Sequence, residues 1–235
     1  MSDFYQTLAE QTAPEREALL QTALVQDALA GRLSLQRYAA FLIQAYHHVR
    51  HTVPLLMAVG SRLSSDREWL REAVAEYIEE ELGHQEWVLN DIAACGYDAE
   101  RVRNSGANLA TEMMVAYAYH VIDRGNPTGF FGMVHVLEGT SVSVASRAAD
   151  AIQQSTGLSS RAFSYLRSHG ALDVEHVDFF AGLMNRLGND TDRQSVLHCA
   201  RAFYRLYAGV FDSVAAEQAE AFRFLDAEVK HAIAG

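Results

Sequence analysis

The chain has 235 residues, 49% of them hydrophobic, with 19 Lys and Arg against 30 Asp and Glu and a formal net charge of −11. That length fits a single domain, residues 1–235, with a sizeable core, and the acidic balance argues against nucleic acid and anionic membrane surfaces as partners. Its two cysteines, Cys95 and Cys199, form neither a disulfide framework nor a Cys-x-x-Cys pair, and neither a signal-like leader nor a membrane-length apolar run is present, so a cytoplasmic protein is expected.

Three prolines and an abundance of Ala, Leu, Glu, Gln and Arg predict helix almost everywhere. An opening helical segment runs to about Gly31 and restarts at Pro14. Ser34 reads as the N-cap of a helix with Tyr38, Phe41, Leu42 and Ala45 on its apolar face, which Pro54 kinks or ends near Val53. Ser65 and Asp66 start the next helix, whose stripe carries Leu70, Val74, Tyr77, Glu81, His84 and Val88, and Gly96 stops it. Helices follow over about Leu109–Ile122 and Thr128–Gln154. A short helix, Arg161–Ser168, leads into one from about Leu172 to Leu187, and a last helix starts near Asp192, with a further short one after Gln218. Short connections between about seven or eight helices predict an all-α bundle.

Within that apolar pattern stand residues of metal-ligand type. Glu81 and His84 are three apart, so one helix places them on one face. Glu138 is the sole carboxylate between Asp123 and Asp150, and a buried lone acid needs a partner, either a metal or an arginine such as Arg147 or Arg50. His135, one turn earlier, is its alternative. His169, Asp173 and His176 follow an i, i+4, i+7 spacing. His47, His48 and His51 form a further cluster that adds a ligand, a supporting contact or only a polar stripe. Carboxylates and imidazoles without thiolate, supplied by facing helices, suit a pair of iron ions with Glu138 between them. An open position on such iron binds O2. Tyr46, Tyr77, Phe130 and Phe131, with Phe41, Tyr117 and Phe180, are expected in the pocket wall or the core.

At these residues the chain resembles the heme-oxygenase-like fold of heme oxygenases, TenA thiaminases and PqqC oxidases, and more closely the heme-oxygenase-like di-iron oxidases and oxygenases. Glu81 with His84, Glu138, and His169-x-x-x-Asp173-x-x-His176 fall in that family's order, over roughly residues 15–215. Two positions depart from its pattern. Tyr77 stands where some members carry a Glu, and Ala45 where the TenA group carries an Asp.

The resemblance implies two Fe(II) per chain, the second labile, held by Glu81, His84, Glu138, His169, Asp173 and His176. Glu81, Glu138 and Asp173 would be the catalytic carboxylates. O2 would be the co-substrate, an external reductant or reductase would supply electrons, and the substrate would be a small amino acid, amine or fatty acid that undergoes N-oxygenation or oxidative C–C cleavage. A homodimer is the expected assembly. The alternative is a metal-free, TenA-like hydrolase of an aminopyrimidine, as in thiamin salvage, which requires a pocket cysteine. Heme bound through the His47–His51 cluster and a non-catalytic polar network are the remaining alternatives.

Overall fold

The computed structural model describes residues 3–216 apart from Leu172; the side chains of residues 169–176, 215 and 216 are not among those described. The segments are α1 (Phe4–Gln11), α2 (Ala13–Leu20), α3 (Ala23–Leu29), α4 (Leu35–Val49), α5 (Thr52–Arg62), α6 (Glu68–Glu81), α7 (His84–Ala94), α8 (Ala99–Arg103), α9 (Leu109–Arg124), α10 (Phe131–Thr156), α11 (Ser164–Ala171), α12 (Asp173–Arg186) and α13 (Asp190–Ala216). No strand occurs among the described residues. The class is all-α, with more helices than the seven or eight expected. The opening segment is three short helices, and single helices in the sequence reading are divided. The tail after Gln218 lies outside the described residues.

The divisions have local causes. Pro54 does not end a helix at Val53. The break comes earlier, at Arg50 and His51, and Pro54 sits in the first turn of α5, where its missing N–H costs no intrahelical bond. The helix expected to run from Ser65 through His84 to Gly96 breaks at Leu82, which is extended, and at Gly83, with φ +91°. The predicted starts at Ser34 and near Leu109 carry caps. Ser34 Oγ accepts from Arg37 N at 3.2 Å, and Asn108 Oδ1 accepts from Thr111 N at 2.9 Å. Each satisfies a donor that a helix start leaves free.

α10 packs against α11 and α13, while α4 packs on α7 and α5 on α6. Tyr38, Phe131, Phe163, Phe180, Phe203 and Tyr204 fill the core. α10 and α13 meet at Gly132, where a Cβ would lie 2.5 Å from the Ala200 nitrogen and 2.6 Å from the Val196 oxygen. Asp192, almost fully buried, accepts from Arg67 at 2.8 Å, Asn126 at 2.7 Å and Asn189 at 2.6 Å. It ties three chain breaks together.

Asp91 on α7 performs a related task. Its carboxylate accepts from Ser164 N and Tyr165 N, each at 2.9 Å, and from Ser164 Oγ at 2.5 Å. It thereby caps α11 from a different helix. Burial pushes the Asp91 carboxyl up from its ordinary value, against the pull of these donors. Asp91→Ala leaves buried donors unmet and is expected to cost about 3 kcal/mol. Asp91→Asn, which keeps an acceptor, is expected to cost less. Urea unfolding of both variants measures the difference, and equal midpoints would show that the cap adds nothing.

Candidate metal centre

Glu81 ends α6 and His84 opens α7, so the helix break holds them side by side. His84 Nδ1 lies 3.0 Å from Glu81 Oε2. The pair is therefore close for a different reason from the one expected: it faces across a seam and does not share one helix face. The His84 ring is buried and stacks on Trp87 with centroids 4.0 Å apart.

Both residues line a cavity of about 80 Å³ together with Glu138, Tyr77 and His48. α4, α5, α6, α7, α10, α11 and α13 all contribute to the wall. Leu55, Leu56, Met133, Val134 and Leu137 make one part of it apolar, and Thr52 and Ser141 add hydroxyls. Its described lining contains two carboxylates and no Lys, Arg or Cys, so the chamber attracts cations. Tyr77 is buried, and its phenol is pushed well up, first by burial and then by the carboxylates of Glu138, Glu80 and Glu81. It stays a neutral O–H donor at any working pH.

Other predicted residues lie elsewhere. Of the three clustered histidines, only His48 faces the chamber, with its ring edge-on to Tyr207 at 5.8 Å. His47 Nε2 contacts Ser105 Oγ at 3.1 Å and His51 Nδ1 contacts Tyr119 Oη at 3.2 Å. Successive helical residues turn by about 100°, so neighbours in sequence cannot all face one cavity. Phe130 is in the wall, whereas Tyr46 and Phe131 are core residues outside it. The Arg50 guanidinium covers the Tyr46 ring at 5.6 Å. Phe41 lines a neighbouring pocket, Phe180 packs on His135, and Tyr117 packs on Phe203. Tyr165 and Tyr207 were missed. Tyr165 stands four residues before His169, a spacing that puts it on the same helix face; nothing local marks Tyr207.

His169 lies in α11, and Asp173 and His176 lie in α12; their side chains fall outside the described residues. Among the described residues, no three His, Cys, Asp or Glu side chains form a metal-holding group by themselves. Glu81, His84, Glu138 and His48 do supply oxygen and nitrogen donors to one chamber without thiolate. That donor chemistry fits iron or manganese. α11 packs against both α7 and α10, the helices that carry His84 and Glu138.

His135 turns away from the chamber. Its Nε2 is 3.3 Å from Thr12 Oγ1, and its ring sits among Tyr5, Phe180 and Tyr204. Burial first, and then Arg16, lower its pKa from 6.5 to about 4. The fold therefore holds the neutral ring, while the unfolded chain takes up the proton near pH 6.5. This stability is complete above that pH and is lost as pH falls to about 4, by about 3 kcal/mol. His47, also lowered to about 4 by burial, acts with the same sign. Thermal melts of the parent and His135→Asn between pH 7 and pH 4 test this: the variant should lose part of the acid-induced fall. An equal fall in both would rule His135 out as a source.

Residues 39–208 match the model of a family described as iron-containing redox enzymes. The chain belongs to that family. No curated protein matches this iron-containing redox enzyme significantly. Among solved structures it is similar to a domain of unknown function with a heme oxygenase-like fold from Shewanella denitrificans, at 24% identity and TM-score 0.81, over 90% of this chain and 92% of the other. It is similar to a TenA homologue from Pseudomonas syringae, at 13% identity and TM-score 0.77, over 92% and 96% of the two chains. It is also similar to a heme oxygenase from Leptospira interrogans, at 17% identity and TM-score 0.68, over 89% and 98%. The fold of this redox enzyme is heme-oxygenase-like. Among its described residues, no helix is long and apolar enough to cross a membrane.

Two of the alternatives can be set beside the described lining. Cys95 and Cys199 are buried and line neither the chamber nor the pocket beside it. Burial pushes the Cys95 thiol up to about 12, so it is not a ready nucleophile. Among its described residues the chamber wall carries the carboxylates of Glu81 and Glu138 and no Lys or Arg.

Proposed function

We propose that the protein is a non-heme di-iron, O2-dependent oxidase or oxygenase of a small amine-, amino-acid- or fatty-acid-like substrate. The observation that supports it most is the meeting of Glu81, His84, Glu138 and His48 in one chamber whose described lining has neither a thiol nor a cationic side chain. Glu81, His84 and Glu138, with His169, Asp173 and His176, would hold the metal. Ferrous iron, when bound, supplies the electrons that activate O2. The protein's own groups do the rest. Tyr77 presents a proton-bearing phenol beside Glu138. Thr52 and Ser141 offer hydroxyls to a polar substrate atom. The aliphatic part of the wall lowers the local dielectric and strengthens charge interactions beside it. An external reductant completes the cycle.

The TenA homologues of the same fold keep a metal-free aminopyrimidine hydrolase as the second reading. Anaerobic Fe(II) titration with metal analysis separates the two. The oxidase reading expects about two irons per chain and oxygen uptake on exposure to air. Folded protein that binds no iron would overturn it, and hydrolysis of an aminopyrimidine by that iron-free protein would establish the alternative.

A further inference from the structure

A second pocket, of about 70 Å³, adjoins the carboxylate chamber, and the two share Ser141, Tyr165 and Tyr207 as a partition. Its character is opposite. Among the described residues it has no charged or amide side chain, and its wall is mainly aliphatic, with Phe41 and Phe211 as its phenyl rings. Thr140 Oγ1 donates to Val136 O at 2.6 Å, so that hydroxyl is already satisfied by its own helix. The space exists because Ala28 on α3 and Ala145 and Ala148 on α10 are small where those helices pack. The pocket is only partly enclosed, and its mainly aliphatic wall favours an apolar guest. Its size selects the guest. It is roughly half the ~150 Å³ of a dry cavity that accepts benzene, which favours a slim alkyl chain over an aromatic ring.

We infer that the apolar pocket receives an unbranched alkyl portion of the substrate while the polar head occupies the carboxylate chamber, with Ala145 and Ala148 limiting the length accepted. This rests on the chamber being the reactive site. Tyr165 and Tyr207 stand where the two parts of such a molecule meet. The two pockets together thus select an amphiphile and disfavour a compact polar amino acid.

The test uses the iron-free protein and n-alkanols of increasing length, whose neutral head requires no metal. Calorimetry should show affinity rising about fourfold per methylene until the pocket is full, then levelling. Ala148→Leu and Ala145→Leu fill the space, and each should weaken the longest alkanols by at least about tenfold and move the plateau to a shorter chain. Val144→Leu is the third variant if either buried change prevents folding. Affinity independent of chain length, or an unchanged series in the folded variants, would overturn the inference. Iron titration of the parent is scored separately, so failure of the metal reading and failure of the alkyl pocket give different results.

Discussion

Glu138→Gln is expected to lower iron affinity by about 100-fold or more and to abolish oxygen-dependent turnover, while the iron-free protein stays folded. The substitution preserves volume and removes a charge from a chamber with Glu81 as its other carboxylate. In the absence of metal, two carboxylates in a partly apolar cavity carry a desolvation cost. Removing one charge therefore does not lower the melting temperature of the iron-free form. Metal-linked stability behaves differently. Iron present at about 100 times its dissociation constant adds about 2.7 kcal/mol to the parent, and a 100-fold weaker site forfeits most of it. Melting the parent and the variant with and without Fe(II), under anaerobic conditions, gives a readout independent of turnover. An iron-induced rise that survives in Glu138→Gln would remove Glu138 from the ligand set.

Gly132→Ala is expected to destabilise the bundle, although alanine is the better helix former by about 1 kcal/mol. The new methyl carbon would meet backbone atoms of α13, with the Ala200 nitrogen at 2.5 Å, the Val196 oxygen at 2.6 Å and the Cys199 carbonyl carbon at 3.0 Å. No rotamer change relieves contacts with backbone, so α10 and α13 must part. Overpacking of this kind costs about 3 kcal/mol, which exceeds the propensity gain and leaves a net loss of about 2 kcal/mol. The melting temperature should fall on the order of 5 °C. Gly139→Ala, two turns further along the same helix, meets nothing within 4 Å and should gain about 0.5–1 kcal/mol. The same substitution on one helix thus has opposite signs. A Gly132→Ala protein that melts at or above the parent would refute the close-contact account.

Much of the architecture was legible because its signals are local. Ser34 and Asn108 cap their helices through bonds spanning three residues, and Gly96, at φ +88°, ends α7 as expected. Pro54 misled because proline breaks a helix interior but fits a first turn. The helix expected from Ser65 to Gly96 is divided because Gly83, at φ +91°, separates α6 from α7. The donors were legible as residue types, but their directions were not. His135 and Glu138 lie three apart on α10, yet one faces Thr12 and the other the chamber. The alkyl-sized pocket had no local signature, because Ala28, Ala145 and Ala148 create it only when distant segments pack.

The seam at Leu82 and Gly83 frees a dimension that a helix would otherwise set. On an unbroken helix, residues three apart keep their Cβ atoms about 5–6 Å from each other, whatever surrounds them. Glu81 and His84 hang from separate rods joined by two residues, and a Cβ on Gly83 would meet no atom within 4 Å. Their separation is governed by the torsions of that joint, so this side of the chamber can widen or narrow without the core being rebuilt.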